Sequence, residues 1–289
     1  MRIRKRKEVA DMDATEIVKK IRAVSGITRK ELAQLADVSP STISRIERGQ
    51  MDPTWRTMQK IFAATGYQLN GTSVVSSGDT SAIQAANAYL APILQRAYSP
   101  EVETLQPTAT TKPAGPLPTE VKIPTGAWSD RWKRTEWLRD SAGVDDLVAI
   151  AVNAGNAGKV ARRHGARVPV EIPRGWRGLV DQLGKAGVDY AVSGIVATWE
   201  ERSDAQAGAP LIYVRDPRGM AQRIGLERAR PGQGVLLLEP MSGELDDVEN
   251  EGGIRFVPRS RALLDAFSGP GRDPDKAEDM LRALWEDAS

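Results

Sequence analysis

The stretch TRKELAQLADVSPSTISRIERG, residues 28–49, constrains the fold more than any other part of the chain. It reads as two short helices joined by a tight turn. Leu32, Ala33, Val38, Ile43 and Ile46 supply the apolar positions that pack the pair together. Ala33 must be small, because the second helix crosses the first there. Thr28 followed by Glu31 is a capping-box pattern. Ser39 precedes Pro40, so a hydroxyl caps the next helix while proline sits where no backbone N–H is needed. A preceding helix is predicted over 13–24, with Ala14, Ile17, Val18 and Ile21 as one apolar stripe. The capped pair covers 28–36 and 40–48, and Gly49 supplies the left-handed stop. Pro53 and Thr54 open a further helix over 55–65, ended by Gly66.

Residues 12–67 resemble the XRE or lambdoid-repressor class of helix-turn-helix domains. The turn position that this family usually fills with glycine is Asp37, and aspartate tolerates left-handed backbone better than most residues. The resemblance implies a double-stranded DNA partner, with base reading at Pro40, Ser41, Ser44 and Arg45. Arg45 is the candidate for guanine, since its planar fork can donate two bonds to O6 and N7; Pro40 would touch a thymine methyl. Arg29, Ser39, Thr42 and Thr54 fall where the family meets phosphate and the groove edge, contacts that set register without reading sequence. Glu47 is expected to be structural, paired with Arg29 or Arg48. A lone recognition helix offers few base contacts, so a homodimer on a near-palindrome is expected, acting as a repressor.

Charge agrees once the chain is divided. The whole protein has 40 basic and 38 acidic side chains, but residues 1–67 carry 14 and 8, a net of +6. The positive field lies on the helix-turn-helix half, where a polyanion would bind. Arg2, Arg4, Lys5, Arg6 and Lys7 form a basic arm over 1–11, suited to phosphates or a minor groove; a solvated tail is the other reading of the same residues. No run of about 18 apolar residues is present, and no secretory pattern follows the basic start, so a cytoplasmic protein, nucleoid-associated when bound to DNA, is expected. The absence of cysteine excludes disulfides, thiolate catalysis and cysteine-based zinc sites. With one histidine, metal ligation is not expected, and neither is a cofactor.

The predicted organisation is multidomain: an all-α helix-turn-helix domain over 12–76, a connecting helix over 77–98, a Pro-rich linker over 99–126, and a helical plus α/β (α+β) domain over 127–289. Tyr67–Ser76 alternates loosely, as a strand does. Ile83, Ala86, Tyr89, Leu90, Ile93 and Leu94 form one side of the connecting helix, which Pro92 would kink or break. Trp128, Trp132 and Trp137 begin a helical region over 130–164, as core or as a dimer seam. Strands are predicted in RVPVEI (167–172), DYAVSG (189–194), LIYV (211–214), VLLLEP (235–240) and IRFVP (254–258). Helices are predicted over 175–186, 195–202, from near Pro217, over 259–267 and over 274–286.

DYAVSGIVATW (189–199), VLLLEP and GGIRFVPRSRALLDAF (252–267) resemble, more weakly, the C-terminal region of AbiEi-type antitoxins. That resemblance implies a degenerate nucleotidyltransferase-like scaffold and an antitoxin that represses its own operon and opposes a cognate toxin. A small-molecule effector acting on a ligand-responsive repressor is the other expectation for this half. An enzyme is not expected. Ser193–Gly194 is in the reverse order of a phosphate-gripping Gly-Ser turn, and Asp216 stands alone at the end of LIYVRD. Asp246 and Asp247 read as a solvated loop pair. His164 follows Arg162 and Arg163 with no nucleophile in view; these arginines and Arg167 suggest an accessory basic patch.

Overall fold

The computed structural model describes residues 13–70, 73–98, 126–139, 141–163, 165, 167–198, 210–230, 233–241 and 244–288. The basic arm, His164 and nearly all of the Pro-rich segment lie outside the described residues. The chain divides into two compact units, residues 1–75 and 76–289.

The first unit is built from four helices and a hairpin: α1 (Ala14–Ser25), α2 (Arg29–Ala36), α3 (Pro40–Glu47), α4 (Trp55–Thr65), β1 (Tyr67–Asn70) and β2 (Ser73–Ser76). Local chemistry sets every boundary. Asp13, Thr28, Ser39 and Thr54 each sit in extended backbone and accept from an N–H of the following first turn. The capping box is complete: the Glu31 N–H donates to Thr28 Oγ1 at 3.2 Å, and the Thr28 N–H donates to Glu31 Oε2 at 2.7 Å. α1 runs one residue past the predicted end, to left-handed Gly26, and α3 stops one residue early, with Arg48 as its cap. The predicted single strand is a hairpin of two. Ile17, Val18, Ile21, Leu32, Ala33, Leu35, Ile43, Ile46, Ile61 and Phe62 are buried as the core, whereas Ala14 and Val38 are only half-buried. Asp37 takes the left-handed turn at φ 52°. Lys60 of α4 donates at 3.0 Å to both its carbonyl and its carboxylate, so a partner on α4 holds the turn in place of glycine.

The second unit begins with α5 (Thr80–Tyr98), α6 (Ala127–Arg134) and α7 (Val144–Ala157). α5 runs through Pro92 without interruption. Pro92 and Ala88, whose carbonyl loses its helical partner, are both exposed, so the proline sits on the solvent side of the helix where its cost is least. The helix packs on α7 within this unit, and Ile83, Ala86 and Leu90 are fully buried. The predicted continuous helix over 130–164 is instead two helices. Glu136 at φ 65° and extended Gly143 interrupt it, while Trp128, Trp132 and Trp137 are buried.

Six strands follow: β3 (Arg167–Val170), β4 (Tyr190–Ser193), β5 (Leu211–Val214), β6 (Val235–Leu238), β7 (Glu249–Glu251) and β8 (Ile254–Phe256). They form one mixed sheet in the order β3-β6-β5-β4-β8-β7. Between the strands lie α8 (Gly175–Lys185) and α9 (Pro217–Arg223), and after them come α10 (Arg259–Phe267) and α11 (Asp273–Ala288). The predicted helix over 195–202 is a 3-10 turn, Ile195–Ala197, entered from left-handed Gly194 and buried throughout, with residues from 199 on outside the described set. β7 was not expected. Its sequence ENE has no apolar alternation, and it pairs with β8 across Gly252 and Gly253, both at positive φ as a tight hairpin turn requires.

Register places helices on both faces of this sheet. Val192 and Phe256 are partners, so they point the same way, and Trp176 of α8 meets Phe256 edge-on with ring centroids 6.4 Å apart. Ser193 therefore points to the other face, where α10 packs. α7 approaches α10 so closely that a Cβ on Gly155 would lie 2.6 Å from the Phe267 carbonyl oxygen.

Candidate nucleic-acid interface

α3 has two unlike sides. Ile43 and Ile46 are fully buried against α1 and α2. Pro40, Ser41 and Arg45 are exposed and Ser44 is half-buried, so the four predicted base-reading positions share the solvent side. Arg45 has no partner among the described residues. At the start of α3, Ser39 Oγ lies 2.8 Å from both Ser41 Oγ and Thr42 Oγ1, and the Thr42 N–H donates to it at 3.1 Å. These hydroxyls form a compact polar cluster at the positive end of the helix, where anions are favoured. Thr54 opens α4 in the same manner: its Oγ1 accepts from the Thr57 N–H at 3.2 Å, and both threonine hydroxyls are 3.0 Å apart.

Glu47 closes the buried side. Its side chain is 1% exposed; Arg22 Nε of α1 donates to Oε1 at 2.7 Å, and Arg29 Nε of α2 donates to Oε2. Burial alone would raise the Glu47 pKa, but the hydrogen bonds from Arg29 and Arg22 outweigh it and hold the carboxyl below the usual range. The expected pairing with Arg29 is present. Arg48 is exposed instead, and its expected place is taken by Arg22, which sequence reasoning passed over; its nearness to the buried Ile21 was the available signal. Lys60 and Trp55 were also missed. Trp55, at the first position of α4, is 60% exposed, beside exposed Thr54 and Arg56.

The described part of this unit carries nine Lys/Arg against six Asp/Glu. Two crossed helices, a turn on Asp37, and a second helix offering short polar groups and one unpaired arginine together make a helix-turn-helix DNA-binding domain. Residues 18–71 match the helix-turn-helix family model. No curated protein and no solved structure matches the chain.

The second unit holds the polar residues weighed for chemistry. Ser193 Oγ donates to Asp265 Oδ2 at 2.6 Å, deep in the core. Arg163 Nη2 reaches Asp265 Oδ1 at 2.6 Å and Ser268 Oγ at 3.1 Å, and Tyr213 OH donates to Asp265 Oδ2 at 2.8 Å. Arg261 bridges Asp265, at 3.2 Å, and Glu244. Burial would raise the Asp265 pKa, yet Arg261 and Arg163 hold it at about 2. Arg163 is thus buried and lies off any surface patch with Arg162 and Arg167. Asp216 caps α9 by accepting from the Gly219 N–H at 3.1 Å, and Asp246 and Asp247 are exposed in a turn. Among the described residues no group of three or more His, Cys, Asp or Glu is placed to hold a metal, and no helix is long and apolar enough to cross a membrane.

Proposed function

We propose that the protein is a sequence-specific transcription regulator, a dimeric repressor that reads a near-palindromic operator with α3. The observation that carries this reading is the solvent side of α3, where Pro40, Ser41, Ser44 and unpaired Arg45 stand together while Ile43, Ile46 and Glu47 anchor the opposite side. Arg45 reads guanine, and Arg29, Ser39, Thr42 and Thr54 meet the backbone. Two copies related by symmetry double the readout, with half-sites about 34–36 Å apart if the domains pair closely. Such a protein acts in the cytoplasm, at the nucleoid.

The test begins by selecting genomic fragments bound by the full chain and reading their consensus. Arg45→Ala is expected to cost about 1–3 kcal/mol at one base position and to relax preference there, measured by titrating single-base variants. Unchanged affinity and unchanged base preference would remove α3 from the role of reading helix.

We read the second unit as a regulatory or interaction module rather than an enzyme, because Ser193, Asp216 and Arg163 already have structural partners. A groove of about 650 Å³ favours a ligand-responsive repressor; Glu171, Arg174, Asp181, Gln182, Lys185 and Glu227 line it. The antitoxin role rests on the AbiEi-type resemblance alone. Release from operator DNA by a small molecule would support the first, and suppression of an adjacently encoded toxin the second.

A further inference from the structure

Glu47 joins three helices, yet its placement does more than hold them together. Arg29 gives it one edge only. The Nε–H of Arg29 is engaged, its side chain is 53% exposed, and its Nη groups have no partner among the described residues. A guanidinium has five N–H groups in a planar fork; one Nη N–H shares the edge of the Nε–H, and the other three point away from that gripped edge. Arg22 and Arg29 together outweigh the single carboxylate, so the trio keeps one net positive charge. Glu47 lies two residues beyond Arg45 on the same helix.

We infer that Glu47 is a positioning residue for the nucleic-acid contact: it grips the Nε edge of Arg29 and so holds the Nη groups ready for a backbone phosphate. This rests on the DNA-binding reading above. Holding the side chain before binding removes rotamer freedom that would otherwise be lost on contact. Because the grip comes from α3, the phosphate contact is tied to the helix that reads bases, and a shift of α3 moves both.

The experiment titrates a fluorescently labelled random-sequence duplex with the full chain at several salt concentrations. Backbone contacts are independent of sequence, so no operator is needed. Arg29→Ala is expected to weaken binding several-fold and to lower the slope of log affinity against log salt by about one. Arg29→Lys keeps the charge and loses the fork, and its affinity is expected to fall nearly as far. In a Glu47→Gln background the loss on adding Arg29→Ala is expected to shrink, a coupling that a purely structural Glu47 would not produce. Wild-type affinity for Arg29→Lys, or an equal cost of Arg29→Ala with and without Glu47→Gln, would overturn the inference. Since Arg29 is a surface residue, the lysine variant decides the matter even if Glu47→Gln does not fold. Failure of the wild-type chain to bind any duplex would instead bring down the DNA reading, and this inference with it.

Discussion

The two units use arginine in opposite ways. In the first, Arg45, Arg48 and Arg56 are exposed, and a single buried carboxylate, Glu47, orients two more that reach only partly inward. In the second, Arg163 and Arg261 are buried outright and consumed by Asp265, Glu244, Tyr213 and Ser268. Arginine left at the surface keeps its donors for a partner. Arginine sealed in a core instead fixes where separate elements meet: Arg163 before β3, Tyr213 on β5, Ser193 on β4 and Asp265 on α10. The same residue type therefore signals binding in one unit and architecture in the other, and only burial separates the two.

The largest test of this contrast is Asp265→Ala. It leaves two buried guanidinium groups without their shared carboxylate, and about 3–5 kcal/mol of stability is expected to go with it. Chemical denaturation of the full chain should show the loss in the second unit, with the helix-turn-helix transition unmoved. A change below about 1 kcal/mol would mean the network relaxes freely, contrary to a core that over-determines its arginines. Acid gives a second test. The folded Asp265 pKa, about 2, lies below its ordinary 3.8. The stability it contributes is fully present above 3.8 and is lost as pH falls toward about 2. Near-ultraviolet circular dichroism of the buried tryptophans across that window should report the loss, and Asp265→Asn should flatten it.

Smaller effects sharpen the other side. Thr28→Ala removes half of the capping box and is expected to cost the first unit about 1 kcal/mol. A correspondingly lower first thermal transition would show it, with the second transition unchanged. The smallest signal is optical. Trp55 is the only tryptophan among residues 1–75, and it is exposed where Trp128, Trp132, Trp137 and Trp176 are buried. Iodide should quench it preferentially, and saturating duplex should shield it. Undiminished quenching at saturation would place Trp55 off the interface.

The same contrast explains what the sequence made legible. The first unit is specified by neighbours: Thr28 with Glu31, Ser39 with Pro40, Gly49 and Gly66 after helix ends. Each signal spans a few residues, so caps, turns and the exposed side of α3 follow from reading along the chain. Most strands of the second unit were legible for a related reason, since LIYV and VLLLEP are apolar runs long enough to cross a core. Its polar centre was not. Arg163, Ser193, Tyr213, Glu244 and Asp265 come from five separate places, and nothing local to any of them announces the others. Arg261 and Asp265, four apart on α10, look like an ordinary surface pair; that helix is in fact buried on every side. β7 escaped notice because an edge strand need not alternate, and its Gly252–Gly253 turn was the cue.

That edge strand governs how copies of the second unit can meet. At one border of the sheet, β7 lines the margin with Glu249 and Glu251. At the other, β3 is closed by the antiparallel bridge between Val170 and Arg228, and its Pro169 carbonyl already accepts from the Ala229 N–H at 3.0 Å. The first border thus carries carboxylates, one of them paired with Arg259, and at the second the last two residues of β3 are already engaged, two features that discourage a strand from a neighbour. Added strands therefore meet less resistance at the open start of β3, Arg167 and Val168, than at either of these features.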